Sequence, residues 1–190
     1  ENHNINFGVN NNGQKNDSIT IGNDILTKSS KDSNNNIAIG NYSLNSALKS
    51  ENNISIGKES MFFLSSGINN TAIGSYALKN SLIDINNVAI GYCSSKYALG
   101  SNNTSIGTNS FQNGSGYNNI AIGHNALYEN IGSKNVGIGI GSLSNNNSDE
   151  NIAIGYYALH GQKNGINIAI GSGALSQSNC KNSTEIGTYN

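Results

Sequence analysis

Apolar and polar positions alternate over one short stretch, and that stretch returns along the whole chain. It reads INFG, SITIG, NIAIG, NISIG, NTAIG, NVAIG, NTSIG, NIAIG, NVGIG, NIAIG, NIAIG and STEIG, closing on Gly8, Gly22, Gly40, Gly57, Gly74, Gly91, Gly107, Gly123, Gly139, Gly155, Gly171 and Gly187. The steps between these glycines are 14, 18, then 17 three times, then 16 six times. Self-similarity at a fixed period marks a repeat architecture, so residues 1–190 form a single repeat domain of about twelve copies.

Each column has its own chemistry. Ile stands one before the glycine in every copy except Phe7, and three before it every residue is β-branched, from Ile5 and Ile19 to Ile168 and Thr184. β-branched residues at alternate positions signal a strand. Between them lies a small or short polar residue, among them Ala38, Ala72, Ala89, Ala121, Ala153 and Ala169, with Glu185 in the last copy. Four before the glycine stands Asn in ten copies and Ser18 or Ser183 in the others. Four after it a large apolar residue is usual, as at Leu26, Leu44, Met61, Leu78, Phe111 and Leu127. Ser95 breaks this column, with Tyr97-Ala98-Leu99 four places late, which predicts a local irregularity.

A period of 16 is too short for a helix pair or a propeller blade and suits one coil of a parallel β-solenoid. Coils stacked about 4.8 Å apart give a rod roughly 50 Å long. Because side chains alternate across a strand, the Ile pair is expected inside. That makes Ile39, Ile73, Ile122, Ile154, Ile170 and Leu127 the predicted core. The small column then faces outward. It is expected to line a threefold axis through Ala38, Ala72, Ala89, Ala121, Ala153 and Ala169, unless small residues merely keep a flat soluble sheet. The glycine supplies a positive-φ corner. The Asn column forms either a stacked amide ladder in left-handed geometry or a plain turn preference. The segment before each strand varies in length, from TKSSKDSNNN to SNNNSDEN, so sequence-specific binding is expected on that far side.

Composition narrows the function. Asn, Ser and Gly make up about 46% of the chain, with no Pro, Trp or Arg and a net charge of −1. The lack of clustered cations argues against nucleic acid. No apolar run reaches the length of a membrane helix, so no membrane insertion is expected. The chain opens without Met, and neither end carries a capping element. The segment is therefore expected to continue into, or stack on, further structure at both ends and to associate end to end by strand addition.

From Asn4 to Gly187, the NxAIG strand followed by a small-apolar pair resembles the head repeat of trimeric autotransporter adhesins, the YadA-like head. Similar repeats occur in phage and large-virus fibre proteins. The resemblance implies a left-handed parallel β-roll and a homotrimer at a cell or virion surface. The chain departs from the bacterial pattern in its longer period and its Asn-rich, Pro-free composition.

Candidate chemistry is sparse. His3, His124 and His160 share no column and form no metal-ligand spacing, and Asp149-Glu150 is an isolated loop pair. No catalytic Ser-His-acid set has a cleft to occupy, and the glycines of GIGIG at 137–141 are repeat columns rather than a phosphate loop. Neither catalytic residue, cofactor nor metal is expected. Cys93 and Cys180 lie more than five coils apart, roughly 25 Å along the rod, beyond the ~7 Å reach of a disulfide. Sequons occur at Asn16, Asn41, Asn53, Asn69, Asn102, Asn103, Asn146 and Asn182, and loop copies are open to glycosylation only in a secretory pathway. Tyr42, Tyr76, Tyr157 and Tyr189 stand two after the glycine, and Tyr92 and Tyr156 one after. They either cover the coil corner or bind sugars or proteins.

These readings converge on a non-enzymatic structural or adhesive rod, a trimeric head or fibre segment at the cell or virion surface. Its expected partners are two further copies and a host protein or glycan. The alternatives are a filament building block with no receptor of its own and, behind it, an ice-binding solenoid. The latter wants a flat threonine array, whereas Thr71, Thr104 and Thr184 are scattered among Ile and Val.

Overall fold

The computed structural model describes residues 3–11, 17–28, 33–82, 84–161, 164–176 and 181–188. It contains twelve three-residue strands: β1 (Ile5–Phe7), β2 (Ile19–Ile21), β3 (Ile37–Ile39), β4 (Ile54–Ile56), β5 (Thr71–Ile73), β6 (Val88–Ile90), β7 (Thr104–Ile106), β8 (Ile120–Ile122), β9 (Val136–Ile138), β10 (Ile152–Ile154), β11 (Ile168–Ile170) and β12 (Thr184–Ile186). They form one parallel sheet in sequence order, each strand ending immediately before its repeat glycine. Register is strict, as in Ile37↔Ile54, Ala38↔Ser55 and Ile39↔Ile56. No helix occurs among the described residues. The chain is an all-β parallel solenoid with one strand per coil, the rest of each coil being turns and occasional bridges such as Glu51↔Ile68.

Three local devices bend the chain round in about 16 residues. At the corner, Gly123 has φ 134°, and an added Cβ would lie 2.5 Å from the Gly139 carbonyl oxygen of the next coil. Glycine is therefore required there both for the dihedral and for the close approach of two backbones. Two and four residues further on, non-glycine residues adopt left-handed geometry, as in Tyr42 and Leu44, Glu59 and Met61, or Asn125 and Leu127. A left-handed leucine costs about 1–2 kcal/mol, which full burial of Leu44, Leu127 and Leu159 offsets. The third left-handed position is the residue before most ladder asparagines, such as Asn52, Asn69 or Asn86, and in the coil of Asn167 it is Gly165.

The ladder asparagines themselves are buried and bond from coil to coil. Asn53 Nδ2 donates to Asn36 Oδ1 (3.1 Å) and to the Gly67 carbonyl (2.8 Å), while Asn36 Oδ1 also accepts the Asn53 backbone N–H (3.1 Å). Comparable bonds join Asn70, Asn87, Asn103, Asn119, Asn135, Asn151 and Asn167. The amide ladder exists, and its left-handed geometry belongs to the preceding residue.

The inside and outside of the strand are the reverse of the expectation. Ala38, Ala72, Ala89, Ala121, Ala153 and Ala169 are 0–1% exposed and form the inner wall, so none of them lines an axis between chains. Ile73, Ile154 and Ile170 are 36–38% exposed and Ile39 and Ile122 half-buried, so these five point outward. Leu127 is completely buried. The reason is the width of the coil. The large residue four after the glycine reaches across the interior and meets the strand, leaving room there for little more than a methyl group. At Gly137 even an added Cβ would lie 2.1 Å from Leu127 Cδ1.

The core divides into two apolar clusters. One runs from Ile25 to Ala89 and the other from Ala98 to Leu175. Between them Ser95 occupies the leucine position, buried and left-handed like its counterparts, so the backbone there is regular and the irregularity is one of side chains. Ser105 Oγ lies 2.8 Å from Ser94 Oγ and 2.7 Å from Ser95 Oγ, a hydrogen-bonded plug where other coils place a leucine. The coils that start at Gly40, Gly57 and Gly74 hold one extra residue, at the far side. There two successive N–H groups, of Leu48 and Lys49, share the Ser65 carbonyl (3.0 and 2.9 Å).

Candidate functional site: an exposed apolar sheet face

Because the small column is inside, both β-branched columns stand on the outer face of the sheet. From β2 to β11 that face carries only Ile, Val and Thr. Thr71 and Thr104, expected within, stand on it as well. Ladder neighbours above and below cover part of each side chain and leave the tip in water: Ile21 is 40% exposed, Ile106 37% and Ile120 39%. The tips form an unbroken strip of roughly 500 Å² in projection, taking about 4.8 Å per rung and 3.3 Å per residue. The largest apolar patch on an ordinary monomer spans about 300–600 Å² and is often functional. The face is regular because its rungs are in register, and stiff because its backbone bonds, the Asn ladder and the serines behind it all join successive coils.

Those serines were not singled out from the sequence. The residue three after the glycine staples its coil to the next strand from inside. Ser43 Oγ donates to the Ser55 carbonyl (2.9 Å), Ser60 to Ala72 (3.3 Å), Ser94 to Ser105 (3.1 Å) and Ser110 to Ala121 (2.9 Å). The available signal was the restriction of that column to Ser and Ala in most coils.

Polar candidates are dispersed. His124 is exposed on a turn, and His160 packs against Tyr157 with ring centroids 4.9 Å apart. No group of three or more His, Cys, Asp or Glu side chains able to hold a metal occurs among the described residues. Cys93 is buried, whereas Cys180, Asn16 and Tyr189 lie outside the described residues. Among the sequons, Asn53, Asn103 and Asn146 are buried, while Asn41, Asn69, Asn102 and Asn182 are exposed. Among the described residues the shifted carboxylate is Asp84, 6% exposed. Burial raises its pKa above the ordinary carboxylate value, against hydrogen bonds from the Ser81 hydroxyl and the Gly100 N–H, which lower it. No helix among the described residues is long and apolar enough to cross a membrane. No model of a known protein family matches the chain, and no curated protein matches it.

Proposed function

We propose that this chain is a non-enzymatic rod segment that assembles with two further copies through its sheet face and presents its turns for attachment at a cell or virion surface. The observation that carries the reading is the straight strip of Ile, Val and Thr along the rod, which no element among the described residues covers. A symmetric oligomer needs a face that complements itself or a second face. Here two parallel ranks flank each strand, one three before the glycine and one immediately before it. When one chain's first rank meets the next chain's second rank at equal height, the contact is heterologous and closes into a ring. Three such sheets would enclose a triangular apolar core. The resemblance to trimeric adhesin heads and fibre proteins points to the same number.

The test is the mass of the purified chain by light scattering or sedimentation. A trimer at micromolar concentration is expected, and Ile122→Asp, which sets a charge on each of three facing ranks, yields monomers. A wild-type monomer overturns the assembly. An ice-binding solenoid is favoured by the regular outward face, yet threonine fills the column in only three of twelve rungs. Measured thermal hysteresis would replace the rod reading with that one.

A further inference from the structure

The turn side of the rod bears a feature that the sheet face does not use. Most side chains one, two, five and six after each glycine lie at that surface, although Asn45 and Cys93 are buried. In four consecutive coils they supply Tyr42, then Phe62 and Phe63, then Tyr76 and Lys79, then Tyr92, Lys96 and Tyr97. In the next coil the same positions are Thr108, Asn109, Gln112 and Asn113, so the rings form a patch and not a repeat column. Rings and ammonium groups alternate along the rod axis. Lys79 Nζ lies 5.9 Å from the Phe62 ring and 5.2 Å from Tyr76, and Lys96 Nζ lies 5.2 Å from Tyr76 and 4.9 Å from Tyr97. Tyr92 stands edge-on to Tyr76 at 5.8 Å.

The two cations differ. Lys79 is neutralised by Glu59 at 2.6 Å. Lys96 has no carboxylate within 4 Å among the described residues, and its ammonium sits between rings of which Tyr97 is 48% exposed, with Tyr92 (54%) beside them. Partial burial works against its charge, but the Tyr97 hydroxyl and the neighbouring Cys93 and Tyr92 outweigh it and raise its pKa, so Lys96 stays cationic. The backbone of this face is already engaged between coils, with Tyr76 N–H donating to Lys58, Cys93 to Ser75 and Asn109 to Tyr92. Strand addition by a peptide therefore finds no free ladder here. What remains on offer is apolar ring faces, phenolic hydroxyls and one uncompensated cation, arranged in a line.

We propose that the Tyr76–Tyr92–Lys96–Tyr97 patch binds an anionic polysaccharide lying along the rod, its sugar C–H faces on the rings and an acid group on Lys96. This deepens the surface-rod reading by naming the class of ligand. Aromatic faces take the apolar side of a sugar ring while their hydroxyls meet its polar rim. The coil spacing of about 4.8 Å is close to the advance of one pyranose unit. The acid group is a carboxylate or a sulfate, and the two sources are separated by the probes.

The experiment measures binding of the assembled protein to hyaluronan oligosaccharides, which carry carboxylates, and to heparin oligosaccharides, which add sulfates. Maltohexaose serves as the neutral sugar and poly-glutamate as the charge without a sugar face. At least one acidic sugar is expected to bind, more weakly as salt rises, with maltohexaose and poly-glutamate at least about tenfold weaker. Lys96→Ala and Tyr97→Ala should each lower the affinity about tenfold, while Tyr156→Ala, outside the patch, leaves it unchanged. Lys96 is half-buried and Tyr97 exposed, both on a turn, and unchanged circular dichroism verifies the fold of the two variants. Equal binding of poly-glutamate, indifference to both variants, or no binding of either acidic sugar overturns the proposal. Particle mass, read on the same samples, separates the two ideas. A trimer that ignores sugars sinks only the glycan site, whereas a monomer that binds them sinks only the assembly.

Discussion

On the inner side of β8, Ala121 is 1% exposed, while its neighbour Ile120 on the outer side is 39% exposed. The same contrast holds along the rod, the smaller residue dry and the larger one wet. The inner wall is limited by volume, since Leu127 and its counterparts already fill the gap to the strand and serine hydroxyls cross it to backbone carbonyls. The outer wall has no such limit and carries the longer side chains. Exposure in one chain therefore separates residues that hold the coil from residues available to a partner, and size alone does not.

Substitutions on the two sides should separate accordingly. The largest effect is expected at the corner joining them. Gly123→Ala forces a side chain into left-handed geometry and against the Gly139 carbonyl, costing about 4 kcal/mol in chemical denaturation. Next, Ala121→Leu overfills the inner wall and costs about 3 kcal/mol. A variant as stable as wild type would show that the interior has room that the packing denies. Asn119→Ala strips the acceptor of the Asn135 N–H and the donor to the Gly132 carbonyl, for about 2 kcal/mol. On the outer wall, Ile122→Asp costs the single coil only about 1 kcal/mol while lowering the particle mass threefold. Thermal melting far below that of Ala121→Leu would erase the contrast.

The smallest effect concerns charge in the interior. The Asp84 carboxyl has a raised pKa in the folded chain, so its contribution is fully present below the ordinary carboxylate pKa and is lost as pH rises through the folded value. Stability should therefore decline between those two pKa values, and Asp84→Asn should flatten the decline. An identical pH profile in the two proteins would place this carboxyl in water instead.

The sequence revealed more of the ladder than of the cross-section. Paired β-branched residues located eleven strands and Ile5 with Phe7 the first, and the invariant glycine located their ends, because local geometry needs those residue types whatever lies opposite. The Asn column offered the amide ladder as one of two readings, and the stacked coils decided between them. Which side of the strand faces inward depends on the coil's width, a tertiary quantity, and Ile is ordinarily the buried residue. A volume argument was nevertheless available: the middle column accepts only Ala, Ser, Thr, Gly or Asn before Glu185, as a crowded interior requires, whereas its flanks range over Ile, Val, Thr and Phe. The left-handed state of Leu44 or Leu127 left no trace, since leucine is a poor choice for that geometry and burial overrides the preference. The rings of the turn patch were visible as residues, but the pairing of Lys96 with Tyr76 and Tyr97 needed the coils stacked.

The bonds that join one coil to the next run along the rod. Tension applied between the two ends of one chain therefore pulls on them lengthwise and in sequence, and they do not share the load side by side. Under such a pull the chain should yield one coil at a time, each released coil paying out about 16 residues, or roughly 50 Å of extended chain. A rod of this construction resists bending and compression, yet under tension it lengthens in steps and absorbs work at each one. An attached particle would experience a graded tether in place of a single breaking point.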